Sequence, residues 1–526
     1  MACVAPATGR VRENSGSMSD SKRVLFLCAQ GGQQDAELVA SVGRALQNAA
    51  GGKIAVSVAS LRNRDANSIR EQAPTLDVRR SFEEFRREKS YQDIDSQVMR
   101  LARDYGDVNW WAVAASERSF IDASFLVGGL GQRSESREYV EALIASMVCY
   151  FEAILSSEKF SAVLCPEADS LISHVLYQVA RRLRVRIVAL SPNAWIREDG
   201  RPGFFLCCDE FLHSDRMEAF YKELGQSGLS KDEQTRVRRF KRVVVDFDVQ
   251  RDYRIATNNS FVVPAISPNL KALPQYLWEN ASRDKDVEYY KIDVFAKAKA
   301  NILRAWRRWR SKNLLGTGTI NVPRRSVFYA MQYQPEQSSL VGGIFFANQI
   351  ATIENIAKAL PFGYTLVVKE HPRGRGARPA WQYRHLAHFP NVQFCDAGAK
   401  DILKQCEATV TISGTIGLEA LALDKPVVVL GNVYYDFADI VYKPKSWSEV
   451  AQVLRRILID REYEQNASRQ DLIDRFFLSY LVARVPALLS KDSAAEIAGA
   501  IIAELDVAGR ALRPEDKKTN DRVENG

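Results

Sequence analysis

Short apolar runs alternate with helical patterns in two stretches of the chain, and this alternation constrains the fold more than any other feature of the sequence. In the first stretch, an apolar run at 24–28 precedes the glycine pair 31–32, a helical pattern over 35–49 and a second apolar run at 54–58. A strand, a glycine turn, a helix and a strand are typical of the start of a doubly wound α/β domain. Residues 162–190 repeat the order strand, helix, strand.

A second series of the same units begins at residue 326. Apolar runs predict five strands, at 326–330, 364–368, 392–394, 409–412 and 426–430. Helical patterns lie between them, so this stretch predicts a complete parallel-sheet domain. We therefore expect an α/β protein with two Rossmann-like domains and extra helices. Ligands of such sheets bind beyond the carboxyl ends of the strands, and a cleft between the two domains is the expected site.

The composition around these stretches predicts the domain boundaries. Both ends of the chain, 1–22 and 507–526, lack hydrophobic periodicity and are predicted to be disordered tails. Between them we expect a Rossmann-like domain over 23–250, a helical and basic linker over 251–325, a second Rossmann-like domain over 326–445 and C-terminal helices over 446–506.

The charge, the hydropathy and the cysteine content argue against several classes of protein. The 526 residues include 72 Lys and Arg against 64 Asp and Glu, and the net charge of +8 is too small to suggest a nucleic-acid partner. No apolar run is long enough to cross a membrane, and the N-terminus lacks the apolar core of a secretory signal, so we expect a cytoplasmic protein. The eight Cys and five His form no ligand-spaced set, so we expect no structural zinc.

The segment 301–325 is strongly basic and contains two tryptophans, Trp306 and Trp309. It has no acidic residue, and its basic residues are Arg304, Arg307, Arg308, Arg310, Lys312, Arg324 and Arg325. One interpretation is a helix that rests on an anionic membrane surface, with the tryptophans at the interface. The other is a solvated helix and linker between the domains.

Polar clusters follow the strands predicted in the second stretch. After 326–330, the run Gln334-Pro335-Glu336 carries a carboxylate that could orient a sugar or ribose hydroxyl. The alternative is a solvated carboxylate on a proline turn. After 364–368, His371 could donate a hydrogen bond to a phosphate, and Lys369 could offset the phosphate charge. The alternative is a satisfied loop histidine beside a solvated charge run.

Two features of the sequence just after His371 also suit an anionic ligand. Pro372 lacks a backbone N–H and fixes the backbone beyond the imidazole. The following loop, 373–378, is basic and rich in glycine.

The third cluster, Ser413-Gly414-Thr415, opens a helix predicted over 414–423. Unpaired N–H groups and the helix dipole favour an anion at such a position, and the two hydroxyls add donors. Glu419 lies one turn into the helix, where it could accept hydrogen bonds from a ribose. The alternative is an ordinary N-cap with a first-turn carboxylate.

The fourth cluster, 431–436, could shape a base or sugar pocket or could be a structural loop. Together the four clusters predict a ligand that carries a phosphate and a ribose. The chain has neither the GxxxxGK[ST] loop nor the GxGxxG fingerprint, so ATP hydrolysis and hydride transfer are not supported.

An ordered set of short motifs runs through residues 327–436. The set comprises Gln334-Pro335-Glu336, Ile356-Ala357 with Leu360-Pro361, Lys369-Glu370-His371-Pro372, Asn391-Val392, Ser413-Gly414-Thr415 with Gly417 and Glu419-Ala420, Lys425-Pro426, Gly431 and Tyr435. In order and spacing it resembles the bacterial capsule and surface-polysaccharide biosynthesis glycosyltransferases, including the Kdo-transferase-like group. The resemblance implies a GT-B architecture, in which 326–445 binds a nucleotide sugar and 23–250 binds the acceptor.

The resemblance also implies roles for individual residues. His371, Ser413 and Thr415 would contact the nucleotide phosphate, and Glu336 would face the cleft. The full donor-site set expected here is Gln334, Glu336, Lys369, His371, Pro372, Ser413, Gly414, Thr415, Glu419 and Tyr435. No metal or other cofactor is expected. Relatives often carry a His shortly before the Gln-Pro-Glu element, whereas this chain has Met331-Gln332-Tyr333, so the donor sugar could differ.

An inverting transfer needs a base for the acceptor hydroxyl, and we expect it in the N-terminal domain. Glu167 and Asp169 are the first candidates because they follow the strand at 162–165, and Glu117 is the second. Surface carboxylates on loops are the alternative.

The expected activity is transfer of a sugar, with a CMP-activated donor favoured, to a surface polysaccharide or its lipid-linked precursor. A sugar-nucleotide epimerase of the same fold and a non-catalytic assembly factor are the alternatives.

Overall fold

Two sheets, each flanked by helices, organise the described part of the chain. The structure is a computed structural model that describes residues 22–29, 33–88, 94–115, 117, 136–168, 170–192, 203–246, 294–315, 322–334 and 337–511. The predicted tails up to residue 21 and from residue 512, and residues 251–293 of the predicted linker, lie outside the described residues.

The first sheet forms the N-terminal domain. Its strands are β1 (Lys22–Cys28), β2 (Ile54–Ser60), β3 (Asp77–Val78), β4 (Ala162–Pro166), β5 (Arg186–Ser191) and β6 (Phe205–Cys207). The helices of this part are α1 (Gln33–Ala49), α2 (Asn63–Gln72), α3 (Phe82–Glu88), α4 (Ile94–Asp104), α5 (Trp110–Ala115), α6 (Arg137–Leu155), α7 (Leu171–Arg182), α8 (Asp215–Ser227) and α9 (Lys231–Asp246). The strand order is β3-β2-β1-β4-β5-β6, with only β6 antiparallel to its neighbour. This is a Rossmann-like order with one added edge strand.

Helix α10 (Val294–Ser311) precedes the second sheet, which is parallel throughout. Its strands are β7 (Ser326–Ala330), β8 (Thr365–Lys369), β9 (Val392–Phe394), β10 (Ala408–Thr411) and β11 (Val427–Val429). The helices among them are α11 (Gln337–Leu340), α12 (Gln349–Ala359), α13 (Ala380–Ala387), α14 (Ala399–Gln405) and α15 (Ile416–Ala422). The order β11-β10-β7-β8-β9 again reverses direction beside the first strand of the domain, as in a Rossmann-like fold.

Four helices complete the described chain: α16 (Trp447–Leu458), α17 (Glu462–Gln465), α18 (Arg469–Ala483) and α19 (Ala494–Ala511). Helix α19 continues past the predicted tail boundary at residue 507. The expected α/β class, with two Rossmann-like domains, is confirmed, and all nine predicted strands form. The sequence analysis missed two short strands, β3 with two residues and β6 with three.

Buried aromatic side chains join the two domains. The ring of Tyr480, on α18, lies 4.8 Å from that of Phe205 on β6, 5.5 Å from that of Phe240 on α9 and 6.3 Å from that of Tyr434, which follows β11. Aromatic rings bury large apolar areas and prefer such tilted contacts. The two sheets therefore share part of one hydrophobic core.

The last helix, α19, returns to the N-terminal domain and packs on α1. Its residues Ile497, Ile501 and Leu505 are buried in the same apolar cluster as Val39 of α1. A charged pair supports this packing, because Arg186 donates to the Glu504 carboxylate at 2.5 Å and to its backbone carbonyl at 2.8 Å. The end of the described chain therefore covers one face of the first sheet.

Replacing Ile501 by Ala should lower the free energy of unfolding by about 2–5 kcal/mol, because it opens a cavity between α19 and the first domain. Gly499→Ala is the matched control on the same helix. A methyl group there meets no atom within 4 Å, so it should be neutral or stabilise by up to about 1 kcal/mol. Thermal unfolding of both variants checks the prediction, and equal melting temperatures would contradict it.

Candidate functional site

Loops that follow β7, β8, β10 and β11 meet at the carboxyl edge of the second sheet. They comprise residues 331–334, 370–378, 412–415 and 430–436. The strands are parallel, so their carboxyl ends lie on one side of the sheet, where ligands of this fold bind. The predicted clusters thus lie along one edge of one domain.

A buried charge pair determines the conformation of the loop after β8. The Glu370 side chain is 3% exposed and accepts hydrogen bonds from Arg378 Nη1 at both carboxylate oxygens, at 2.8 and 2.7 Å. The Tyr383 hydroxyl and the His371 backbone N–H also donate to it, at 2.7 and 2.8 Å. Burial opposes the charge of Arg378, but the Glu370 carboxylate raises its pKa above the ordinary value. Four donor contacts therefore satisfy one buried carboxylate and fix the backbone at His371.

Lys369 does not have the environment expected of a phosphate ligand. Its ammonium is buried, donates to the Ala397 carbonyl at 2.6 Å and lies 3.7 Å from Asp396 Oδ1. Burial lowers its pKa, and Asp396, which also pairs with Arg375, partly opposes that shift. Lys369 therefore links β8 to the segment after β9, and its expected role at a phosphate stays a prediction.

Gln334 is also a structural residue. Its side chain is buried, donates to the Ala347 carbonyl at 2.8 Å and accepts from Arg378 Nη2 at 3.4 Å. Both ends of the amide therefore have partners within the domain, and the expected contact of Gln334 with the donor stays a prediction. Glu336 lies outside the described residues.

The His371 side chain is partly exposed and lies against the ring of Tyr333. The ring centroids are 5.7 Å apart, with 37° between the planes. Pro372 begins a short 3-10 turn, in which the Gly374 N–H donates to the His371 carbonyl at 2.7 Å. Of the residues in this loop that were predicted to bind the donor, His371 and Pro372 are partly exposed.

Protein groups already contact the start of α15. The Gly414 N–H donates to Thr411 Oγ1 at 3.0 Å, and Ser413 Oγ donates to the Ser338 carbonyl. With its amide oxygen turned inward, Gln332 accepts from the N–H groups of Gly414 and Ser413, at 2.6 and 3.1 Å. The expected anion site is therefore partly filled by Gln332.

Gln332 lies in the Met331-Gln332-Tyr333 stretch that departs from the resemblance, so the sequence analysis marked this stretch. Nothing in the sequence pattern predicted that Gln332 would reach α15. Thr415 is exposed at the start of the helix, and Glu419 is half-buried one turn further on.

Tyr435 is buried and packs against the start of α15. Its hydroxyl donates to the Gly414 carbonyl at 2.7 Å, and a methyl group on Gly417 would lie 2.2 Å from the hydroxyl oxygen. Burial raises the pKa of Tyr435, and the charges of Asp436 and Glu419 raise it further. Tyr435 therefore packs against α15 and requires glycine at 417, and its expected contact with the donor stays a prediction.

The candidates for the catalytic base differ in their surroundings. Glu117 is buried and accepts from the Leu171 N–H at 3.1 Å at the start of α7, and its role as a base stays a prediction. Glu167 follows β4, is half-buried and accepts from the Ser191 hydroxyl. Asp169 lies outside the described residues.

Sequence reasoning missed an acidic pair at the carboxyl edge of the first sheet. Asp65, on α2, is 1% exposed, and its Oδ2 has no hydrogen-bond partner among the described residues. Burial raises its pKa, and burial followed by the charge of Asp65 raises that of Asp35 on α1. Asp35 comes shortly after the glycine pair 31–32, and this position was the one feature of the sequence that could have indicated the acidic pair.

A histidine bridges the two domains. Protonated His213 donates from Nδ1 to Asp209 at 2.6 Å and from Nε2 to Asp436 at 2.8 Å. Lys443 also pairs with Asp436, at 2.5 Å. Burial alone would lower the pKa of His213, but the two carboxylates raise it to about 10.

Comparison with known proteins places a family match on the second domain. Residues 288–455 match the family model described as capsule polysaccharide biosynthesis protein. FixF of Sinorhizobium fredii (strain NBRC 101917 / NGR234) is 33% identical over 103 residues, which cover 18% of this chain and 24% of FixF. The capsule polysaccharide export protein KpsS of Escherichia coli is 33% identical over 87 residues, 15% of this chain and 22% of KpsS.

These alignments span about a quarter of the length of the two curated relatives. Among solved structures, the β-Kdo 2,4 transferase KpsC of Thermosulfurimonas dismutans is similar at 14% identity and a TM-score of 0.30, over 65% of this chain and 88% of that chain. The family match confirms the resemblance to capsule biosynthesis proteins over residues 288–455.

The substitution Arg378→Met should destabilise the protein by about 3–5 kcal/mol, because it leaves the buried Glu370 carboxylate without its cation. The double variant Glu370→Gln/Arg378→Met removes both charges and should be less damaging than the single one. Chemical denaturation of wild type, Glu370→Gln, Arg378→Met and the double variant measures the difference. A double variant that loses the sum of the two single effects would contradict a coupled pair.

The stability supplied by His213 should depend on pH. Because its folded pKa is raised to about 10, the contribution is complete below the ordinary value of about 6.5 and is lost as the pH rises through about 10. At low pH, His213→Gln should cost about 1.5–3 kcal/mol through lost charge-assisted hydrogen bonds. Thermal unfolding of wild type and variant across this pH range should show a difference in melting temperature that becomes smaller as the pH rises. A constant difference would argue against a charged bridge.

Proposed function

We propose that the protein is a glycosyltransferase that moves a sugar from a nucleotide-sugar donor to a bacterial capsule or surface polysaccharide, or to its lipid-linked precursor. The consecutive residues Gln332 and Tyr333 carry this proposal. Gln332 contacts the start of α15, and Tyr333 contacts the His371 ring, so the imidazole and the helix start flank one dipeptide. The His371 imidazole and the start of α15, which both suit a phosphate, therefore lie next to each other at the carboxyl edge of the second sheet.

In the proposed reaction, bond cleavage leaves negative charge on the departing nucleotide phosphate. Hydrogen-bond donors that are already in place stabilise that charge without reorganisation. His371 supplies one donor, because Glu370 fixes its backbone, and the exposed Thr415 hydroxyl supplies a second. Glu419, half-buried beside α15, is the proposed acceptor for donor hydroxyl groups.

The proposed base for the acceptor hydroxyl comes from the N-terminal domain. Glu167 remains a candidate, because it is half-buried at the end of β4. Asp35 joins it, because its raised pKa moves the carboxyl group towards the range in which general bases are efficient. Asp65 is too buried to meet an acceptor and would act by perturbing Asp35.

The resemblance to the Kdo-transferase-like group favours a CMP-activated donor, and a reaction at the inner face of the plasma membrane is part of the proposal. Melting temperatures with CMP, UDP, GDP and dTDP would identify the nucleotide. A ligand at 100 times its dissociation constant stabilises a protein by about 2.7 kcal/mol.

Two other functions fit the same fold. A sugar-nucleotide epimerase would convert the donor without an acceptor, so an epimerised sugar in acceptor-free reactions would favour it. A non-catalytic assembly factor would bind the nucleotide without turnover, and its binding would be insensitive to His371→Ala.

His371→Ala should lower the turnover of the donor by about 10²–10³, because one donor to the leaving phosphate is lost. His388→Ala is the control, since His388 is exposed at the end of α13. Nucleotide release from the donor identified by the melting screen measures both variants. If both kept the wild-type rate, His371 would have no part in the transfer.

A further inference from the structure

Helix α10 presents an apolar stripe to the surface. Ile302, Trp306 and Trp309 are 72%, 50% and 75% exposed. Their spacing of four and three residues places them on one face of the helix. Large side chains grouped in this way on a surface mark an interaction site more often than single exposed residues do.

The opposite face of α10 is fixed to the second domain. Gly376 has a positive φ of 79°, and a methyl group there would lie 2.3 Å from the Arg304 carbonyl oxygen. Arg307 donates to the Ala377 carbonyl at 3.1 Å, and Ser311 is buried. The helix therefore lies against the loop that follows His371, and its apolar stripe is held on the outside.

Positive charge flanks the stripe. Arg308, Arg310 and Lys312 are exposed, and the guanidinium of Arg310 lies 5.1 Å from the centroid of the Trp306 ring. Residues 301–325 contain no acidic side chain. The outer face thus combines two tryptophans and an isoleucine with basic side chains, and residues 301–325 supply no acidic side chain to neutralise them.

We propose that this outer face of α10 docks on the surface of an anionic lipid bilayer. Tryptophan favours the boundary between head groups and acyl chains, and Lys and Arg favour anionic head groups. A helix with an apolar face and a basic polar face lies in the plane of that boundary. Among the described helices none is long and apolar enough to span a bilayer, so the contact is a peripheral one.

The lipid surface fits these residues better than a nucleic acid does. Ile302 has no favourable partner on a phosphate backbone, and the excess charge of the whole chain is small. The docked helix would hold the 373–378 loop and the neighbouring His371 at a set distance from the membrane. The proposal does not depend on glycosyl transfer, because lipid binding is measured without donor or acceptor.

Sedimentation of the full chain with vesicles tests the proposal. Vesicles of phosphatidylglycerol and phosphatidylcholine should bind the protein in a salt-sensitive way, and phosphatidylcholine alone should bind it much more weakly. Each basic residue near an anionic surface contributes about fivefold in binding. The triple variant Arg308→Gln/Arg310→Gln/Lys312→Gln should therefore bind on the order of a hundredfold more weakly. Trp306→Ser/Trp309→Ser should also reduce binding.

Two matched controls should leave binding unchanged. Arg238→Gln/Arg239→Gln removes exposed charge from α9, and Phe362→Ser removes an exposed ring from the turn before β8. Unchanged melting temperatures would show that all variants fold. The proposal is overturned if the α10 variants sediment like wild type, if neutral vesicles bind equally well, or if the chain binds RNA through these residues and not lipid.

Discussion

The buried carboxylate of Glu370 is the interaction on which the candidate site depends. An ionised carboxylate in the interior is strongly unfavourable unless cations and hydrogen-bond donors surround it. Arg378, Tyr383 and the His371 N–H supply those groups, and they come from the loop after β8 and from α13. The loop can therefore adopt few other conformations while the charge stays buried. Gln334 extends the network to the segment before α12, because it bonds to both Arg378 and Ala347.

The relation between the domains depends on a different set of contacts. Tyr480 packs with rings from both domains, and His213 links Asp209 of the first to Asp436 of the second. The aromatic contacts hold the two domains together at any pH. The ionic bridge also depends on the orientation of its hydrogen bonds and on the protonation of His213. The same short loop that carries Asp436 also carries Tyr435, which supports the start of α15. The interface and the floor of the candidate site are thus built from adjacent residues.

Much of the fold was predictable because it depends on local patterns. Short apolar runs predicted nine strands, and two short strands, β3 and β6, were missed. The site was less predictable. Lys369, Gln334 and Glu117 were correctly placed beside strands or helices, yet their partners lie 28, 13 and 54 residues away along the chain. No spacing rule links such pairs, so a polar residue that faces a ligand and one that satisfies a buried carbonyl have the same sequence signature.

The position of Gln332 has a consequence for whatever anion approaches α15. Its oxygen already accepts from the N–H groups of Ser413 and Gly414, so an incoming phosphate competes with an intramolecular ligand for the same amides. Part of the free energy of association is then consumed in moving the glutamine aside. The side chain at position 332 would therefore limit how tightly an anion binds at the start of α15, because it competes for the same N–H groups from within the chain. The size of this effect would depend on the length of the side chain and on the hydrogen-bond acceptor that it carries.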